Sequence, residues 1–261
     1  DQALLMYIDS HCHLDRLKLA PYNGDLSLAL KAAKENLVET LLCVAIDLEH
    51  IEDVLSIAAN YDDVYASVGV HPGSTECEEP TVERLLALSE REKVIAIGET
   101  GLDYYYGEEH KDIQQEWFKR HLLASKACRK PVIVHTRDAR ADTLALIKQY
   151  SDPDVAGVLH CFTEDWDMAS KAIEHNFYIS FSGIVTFKNA KELQEVAKKV
   201  PLERMLIETD SPYLAPIPYR GKPNEPKYVP EVAKFIAELK GLDVQQVAEQ
   251  TKQNFLSLFK L

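Results

Sequence analysis

The chain has few cysteines, no long apolar run and a shortage of positive charge. Its 261 residues include five cysteines: Cys12, Cys43, Cys77, Cys128 and Cys161. They are odd in number, scattered and without a C-x-x-C pair, which argues against a disulfide framework and points to a reducing compartment. No window holds the roughly 18–20 uninterrupted apolar residues of a membrane-spanning helix, so no membrane partner is expected. The net charge is −13, whereas a protein that coats nucleic acid or anionic membrane is basic overall. Any contact with a polyanion therefore has to be local, through a cationic or metal-bearing spot. The start carries no basic stretch followed by an apolar one, hence no secretory signal, and a cytoplasmic location is the expectation. Met6 directly precedes the first strand-like run, so residues 1–5 are read as an added or disordered start and 6–261 as one domain.

What is present is an alternation. Short runs rich in β-branched residues fall at Met6–Ser10, Thr40–Ile46, Val64–Val70, Val94–Glu99, Val132–His135, Gly157–Cys161, Tyr178–Ser182 and Met205–Thr209. Between them, apolar residues recur at three- and four-residue spacing, as in Leu26–Asn36, Thr81–Arg91, Gln114–Cys128, Asp138–Tyr150, Asp165–His175 and Ala190–Lys199. Strand and helix signals in turn mean βα units and a parallel sheet. Eight such units in about 250 residues predict a single α/β domain, a (β/α)8 TIM barrel, in preference to an open doubly wound sheet. No Gly-x-Gly-x-x-Gly follows the first run, which lowers the dinucleotide-binding alternative. The Pro-rich connector Pro212–Pro230 after the eighth run reads as an active-site loop. It leads into a helix near Pro230–Lys240 and then one or two closing helices over Val244–Phe259.

The chemistry-bearing residues fall at the carboxyl ends of the strands, the rim where this fold carries its sites. His11 and His13 follow the first strand one residue apart, so both imidazoles share a face while Cys12 turns away. Glu99, His135, His160 and Asp210 end the fourth, fifth, sixth and eighth strands. Four imidazoles and two carboxylates at one mouth form a metal site; without metal, clustering them has no packing advantage and costs desolvation. Six ligands exceed the three of a catalytic zinc and suit two divalent ions about 3.5–4 Å apart with a shared carboxylate. Histidine-rich ligation favours Zn, Mn, Ni or Co over Mg.

A second group lines the same rim. His71, before Pro72-Gly73, either orients a phosphate or the attacking water or is a structural loop histidine. Arg137 shares the face of His135 and either matches phosphate oxygens or pairs with a rim acid such as Asp138 or Asp142. Glu208 shares the face of Asp210, as a base or as a carboxylate that supports a ligand. Arg220 and Lys222 in the long loop are substrate-binding candidates or a solvated pair. Tyr104, Tyr105 and Tyr106 either stack on a base or pack their own loop. His50, His110, His121 and His175 lie in helical or loop patterns and are read as structural.

Several segments together resemble the TatD family of metal-dependent hydrolases. They are Asp9-Ser-His-Cys-His-Leu-Asp15, Gly69-Val-His-Pro72, Gly98-Glu-Thr-Gly-Leu-Asp-Tyr104, Pro131-Val-Ile-Val-His-Thr-Arg-Asp138, His160-Cys-Phe162 and Glu208-Thr-Asp-Ser-Pro212. The resemblance spans Met6 to about Phe259, with the motifs in order and at the right spacing. It implies a metal-dependent deoxyribonuclease in a TIM barrel of the amidohydrolase type. His11, His13 and Asp210 would hold one ion, His135 and His160 the other, and Glu99 would bridge them. Wider amidohydrolases often bridge with a carbamylated lysine at the fourth strand; Glu99 in that place favours the TatD-like branch.

The expected activity is hydrolysis of DNA phosphodiesters, by a hydroxide generated at the ions and attacking phosphorus. Two rivals use the same residues. One is a C–N or ester hydrolase acting on a small molecule or an aminoacylated nucleic acid; the other is a metal-stabilised binding module without turnover.

Overall fold

The computed structural model describes residues 5–105 and 107–261. Residues 1–4, most of the expected added start, and Tyr106 lie outside the described residues. The strands are β1 Tyr7–Cys12, β2 Val38–Cys43, β3 Val64–Val68, β4 Val94–Asp103, β5 Val132–Arg137, β6 Gly157–Leu159, β7 Phe177–Phe181 and β8 Met205–Ile207. The helices are α1 Leu26–Glu35, α2 Ile51–Asn60, α3 Val82–Ser89, α4 Lys111–Cys128, α5 Arg140–Tyr150, α6 Trp166–Glu174, α7 Lys191–Lys199, α8 Val229–Lys240 and α9 Val244–Phe259. The sheet runs β1 to β8 in chain order, every neighbouring pair parallel. The seam between β8 and β1 is joined by two backbone bonds of 2.9 Å, Asp210 N–H to the His11 carbonyl and His13 N–H to the Ser211 carbonyl. The buried Asp9 carboxylate adds to it, accepting from the Thr209 N–H and hydroxyl. This is the (β/α)8 barrel that the alternation predicts.

Local chemistry sets the helix ends. Asp25, Thr81 and Asp165 accept from backbone N–H groups of the first turns of α1, α3 and α6, while Asp243 and Gln246 form a reciprocal capping box at α9. Residues 244–259, read as one or two helices, form one continuous helix. Strand side chains alternate between two apolar layers. Tyr7, Leu41, Val132, Leu159, Phe177 and Met205 pack outward with the helices. Ile8, Leu42, Ile133, Val158, Tyr178 and Leu206 fill the lumen, plugged by Phe255, Leu258 and Phe259 of α9. Such full burial contributes about 1.5–3 kcal/mol for each large apolar side chain.

The lumen is apolar at one end and polar at the rim, and two departures from regular pairing set which residues reach that rim. In β1 the register slips between Asp9 and Cys12. The slip resets the alternation, so His11 and His13 face inward while Cys12 is buried outward with its thiol toward the Leu42 carbonyl. In β4 the register slips between Ile97 and Thr100, and the strand continues past Glu99, its expected end, to Asp103. Gly101 makes that extension feasible. It sits at φ +135 opposite His135, and a Cβ there would lie 1.9 Å from the His135 carbonyl oxygen. With β4 pressed this close to β5, Asp103 comes level with Arg137. A Gly101→Ala substitution is therefore expected to lower unfolding stability by about 3 kcal/mol or more, from backbone strain and overpacking together. Urea unfolding followed by circular dichroism measures this; an unchanged midpoint would contradict the close approach.

Candidate metal centre

The six residues expected as ligands converge on one point of the rim. His11 Nε2 lies 3.3 Å from His13 Nε2, 3.3 Å from Glu99 Oε1 and 3.5 Å from Asp210 Oδ1. His13 Nε2 lies 3.1 Å from the same Asp210 oxygen. The other oxygen of Glu99 faces the opposite side, with His160 Nε2 at 2.6 Å and His135 Nδ1 at 3.4 Å. One carboxylate thus divides its two oxygens between two donor sets, His11, His13 and Asp210 on one hand, His135 and His160 on the other. Asp210 is turned into the site by a left-handed backbone at φ 55, while its N–H bonds back to β1.

Three of the imidazoles are wired alike. His13 Nδ1 donates to the Val44 carbonyl (2.8 Å), His135 Nε2 to Asp103 (2.8 Å) and His160 Nδ1 to Glu208 (3.1 Å). Each partner only accepts, so each outward nitrogen carries a proton, and the inward nitrogen of the neutral ring presents a lone pair to carboxylate oxygens. Acceptor facing acceptor is unfavourable unless a cation or a second proton lies between them. His11 stacks on His160 with ring centroids 3.7 Å apart, and its buried Nδ1 is without a hydrogen-bond partner. Fixed outward donors and converging inward lone pairs are what metal ligation by histidine requires. The donor set fits divalent cations.

The other candidates separate. Glu208 is fully buried, with one oxygen on His160 and the other accepting the Cys161 N–H (2.7 Å). Those partners take both of its oxygens, and it does not line the pocket above the cluster. Arg137 faces the pocket and pairs with a rim acid, but that acid is Asp103 (3.0 Å) in place of Asp138 or Asp142; its guanidinium also covers the Tyr105 ring at 4.3 Å. Tyr104 donates to Asp142 and packs its loop. Arg220 lies over the Phe187 ring at 3.8 Å, Lys222 is exposed, and neither lines the pocket above the cluster. That pocket measures about 880 Å³, and its lining includes His71, Asp103, Arg137, Arg16 and Tyr213. His121 is a core histidine that accepts the Val70 N–H, and burial lowers its pKa to about 4; His110, read as structural, lines the pocket. His71 likewise sits at about 4, because burial outweighs the attraction of Glu99.

Asp103 and Arg16 were not singled out from the sequence. Asp103 lies four residues beyond Glu99, and strand alternation carried past Glu99 would place it on the same face. Its hydrogen bonds from His135 and Arg137 overcome burial and hold its carboxyl at about 2. Arg16 pairs with Asp47 at 3.2 Å, and no pattern marks it.

Barrel, rim position and donor set together define a metal-dependent hydrolase. The sequence model described as TatD-related DNase matches residues 8–260. The chain is 48% identical over 257 residues to an uncharacterized metal-dependent hydrolase of Escherichia coli, YcfH, covering 98% of this chain and 97% of that one. It is 41% identical to Bacillus subtilis YabD, another uncharacterized metal-dependent hydrolase, over 98% of this chain and all of the other. The crystal structure of YjjV, a TatD homologue from Escherichia coli, superposes with a TM-score of 0.90 at 30% identity over 98% of both chains. The chain belongs to the TatD-related DNase family. No helix among the described residues is long and apolar enough to cross a membrane.

Protons and cations compete for the same inward nitrogens. Burial disfavours the charged rings, yet Asp210 beside His13, Asp103 and Glu99 beside His135, and Glu99 and Glu208 beside His160 raise all three above an ordinary imidazole. A raised pKa keeps the proton on at higher pH, so cation affinity is expected to keep climbing above pH 6.5, by up to about tenfold per pH unit for each proton displaced. Calorimetric titration of Mn2+ in buffers of differing ionisation enthalpy checks this, since binding without proton release would contradict the wiring.

Proposed function

We propose that this protein is a phosphodiester hydrolase acting on DNA through two divalent ions, at a site open enough for a strand end or a single strand. The observation that carries the reading is the division of the Glu99 carboxylate between two imidazole sets at the floor of an open pocket. The residues around Glu99 would hold divalent ions, which would supply Lewis acidity toward a phosphoryl group and a more acidic water. The family description as TatD-related DNase supports the same reaction class. The chain's own residues do the rest. Val44, Asp103 and Glu208 hold His13, His135 and His160 in the ligating orientation. Asp103 also holds the Arg137 guanidinium at the pocket wall, a planar donor suited to phosphate oxygens. Arg16 and Arg137 bring positive charge to this pocket of an acidic protein. Few phosphates are then engaged, and the affinity for oligonucleotides is expected to fall only gently with salt, with a log–log slope of magnitude about 3 or less; fluorescence anisotropy between 50 and 300 mM salt (roughly the range over which screening changes most) reads it. Arg220 and Lys222 stand away from the reaction centre.

The same donors also suit attack on a carbonyl, so substrate decides between the rivals. Cleavage of end-labelled single- and double-stranded DNA, run beside amide and ester panels with each of Zn, Mn, Ni, Co and Mg, is the test. His135→Ala should reduce metal-dependent cleavage below about one-hundredth of wild type, by loss of a ligand, with an unchanged circular dichroism spectrum. Full activity in that variant would overturn the site, and turnover of amides or esters without DNA would overturn the substrate. Saturable binding with no hydrolysis under any metal would favour the binding module.

A further inference from the structure

Of the imidazoles at the pocket floor, one is wired in the opposite sense. His71 Nδ1 accepts the Gly73 N–H at 2.8 Å. An amide N–H has nothing to accept with, so the lone pair must sit on Nδ1 and the ring proton of the neutral imidazole on Nε2. That Nε2 is the nitrogen turned inward, 3.4 Å from Glu99 Oε2. In His13, His135 and His160 the outward nitrogen donates and the inward one keeps its lone pair. A nitrogen that carries the proton has no lone pair for a cation.

We propose that His71, although within ligand distance of Glu99 and His135, is not a metal ligand but a catalytic hydrogen-bond donor, its Nε2–H aimed at a non-bridging oxygen of the reacting phosphoryl group. The inference rests on the phosphodiesterase reading above. The local chain builds this wiring. His71 caps the 3-10 turn Pro72–Ser74, and its own N–H is tied to the Ile46 carbonyl at 2.7 Å. A Cβ on residue 73 would sit 3.0 Å from Nδ1, so glycine there lets the amide approach the ring. The His71 side chain is 24% exposed and lines the pocket, as does His135 at 20%, so a bound substrate can reach it. At 3.4 Å the contact with Glu99 is longer than a good N–H···O bond. A substrate oxygen entering the pocket can take that donor at a better distance. A fixed neutral donor placed where phosphoryl charge develops stabilises the transition state without having to give up its proton.

The test compares His71→Ala and His71→Gln, the carboxamide N–H of glutamine reaching close to the position of Nε2–H. Both variants are expected to bind Mn2+ with wild-type stoichiometry and an affinity within about twofold, because no ligand is lost. The alanine variant should lose about 100-fold in kcat/KM on an oligonucleotide, and glutamine should restore about a tenth of the wild-type value or more. Two readouts do not depend on turnover. Long-range proton–nitrogen correlation spectra of the Mg2+-loaded protein should show His71 protonated at Nε2. Inorganic phosphate should bind the loaded alanine variant at least about tenfold more weakly than wild type. Loss of one metal equivalent in His71→Ala, a ring protonated at Nδ1, or unchanged phosphate binding would overturn the proposal. If the wild type cleaves no DNA, the phosphodiesterase reading fails by itself, while stoichiometry, tautomer and phosphate affinity still decide whether His71 is ligand or donor.

Discussion

The constraint on which the site depends is the placement of the Glu99 carboxylate among buried imidazoles. Its two oxygens face different histidines, so two sets of donors are tied to one anion at the end of the apolar lumen. Nearly every polar feature around it follows from the need to hold those rings still. Val44, Asp103 and Glu208 supply acceptors to the outward nitrogens, and each of these acceptors is carried by a different strand or strand end. The barrel is what brings them together: eight parallel strands end on one rim, and their last residues meet although they are far apart in the chain.

The same demand reaches into the backbone. A glycine at position 101 lets β4 run against β5 far enough to deliver Asp103, which serves His135 and Arg137 at once. The buried Asp9, pushed up to about 7 by its desolvation, joins β1 to the segment after β8, two residues before His11 and one before Asp210. Polar groups outside the cluster thus fix the positions of the residues within it. The net charge of the chain is −13, and Arg16 and Arg137 are the guanidinium groups that line this pocket, paired with Asp47 and Asp103.

Much of this was legible before any coordinates. The short apolar, β-branched runs and the helical patterns between them carry the barrel, because strands buried on both faces are continuously apolar. The rim position of Glu99, His135, His160 and Asp210 follows from the same reading, since His135 and His160 directly follow the last apolar residue of their runs, Glu99 comes two residues after it and Asp210 three. Glu208 was legible as a neighbour of Asp210 on the same face but not as the acceptor for His160, because no spacing along the chain relates it to a residue 48 positions away. Arg220 and Lys222 lie in a long loop with no periodicity that says which way it folds; the structure sets Arg220 over the Phe187 ring and puts neither in the pocket lining.

What the amino-acid sequence determined by itself is the order of elements, the common face of His11 and His13, and the identity of the donor residues, all of which depend on short-range periodicity and side-chain chemistry. What only the tertiary structure decided is which way each ring is turned. The bulges in β1 and β4, the close approach at Gly101 and the amide of Gly73 choose, nitrogen by nitrogen, between lone pair and proton. That choice is made by partners from distant strands or by the local turn geometry, and residue order alone carries no record of it.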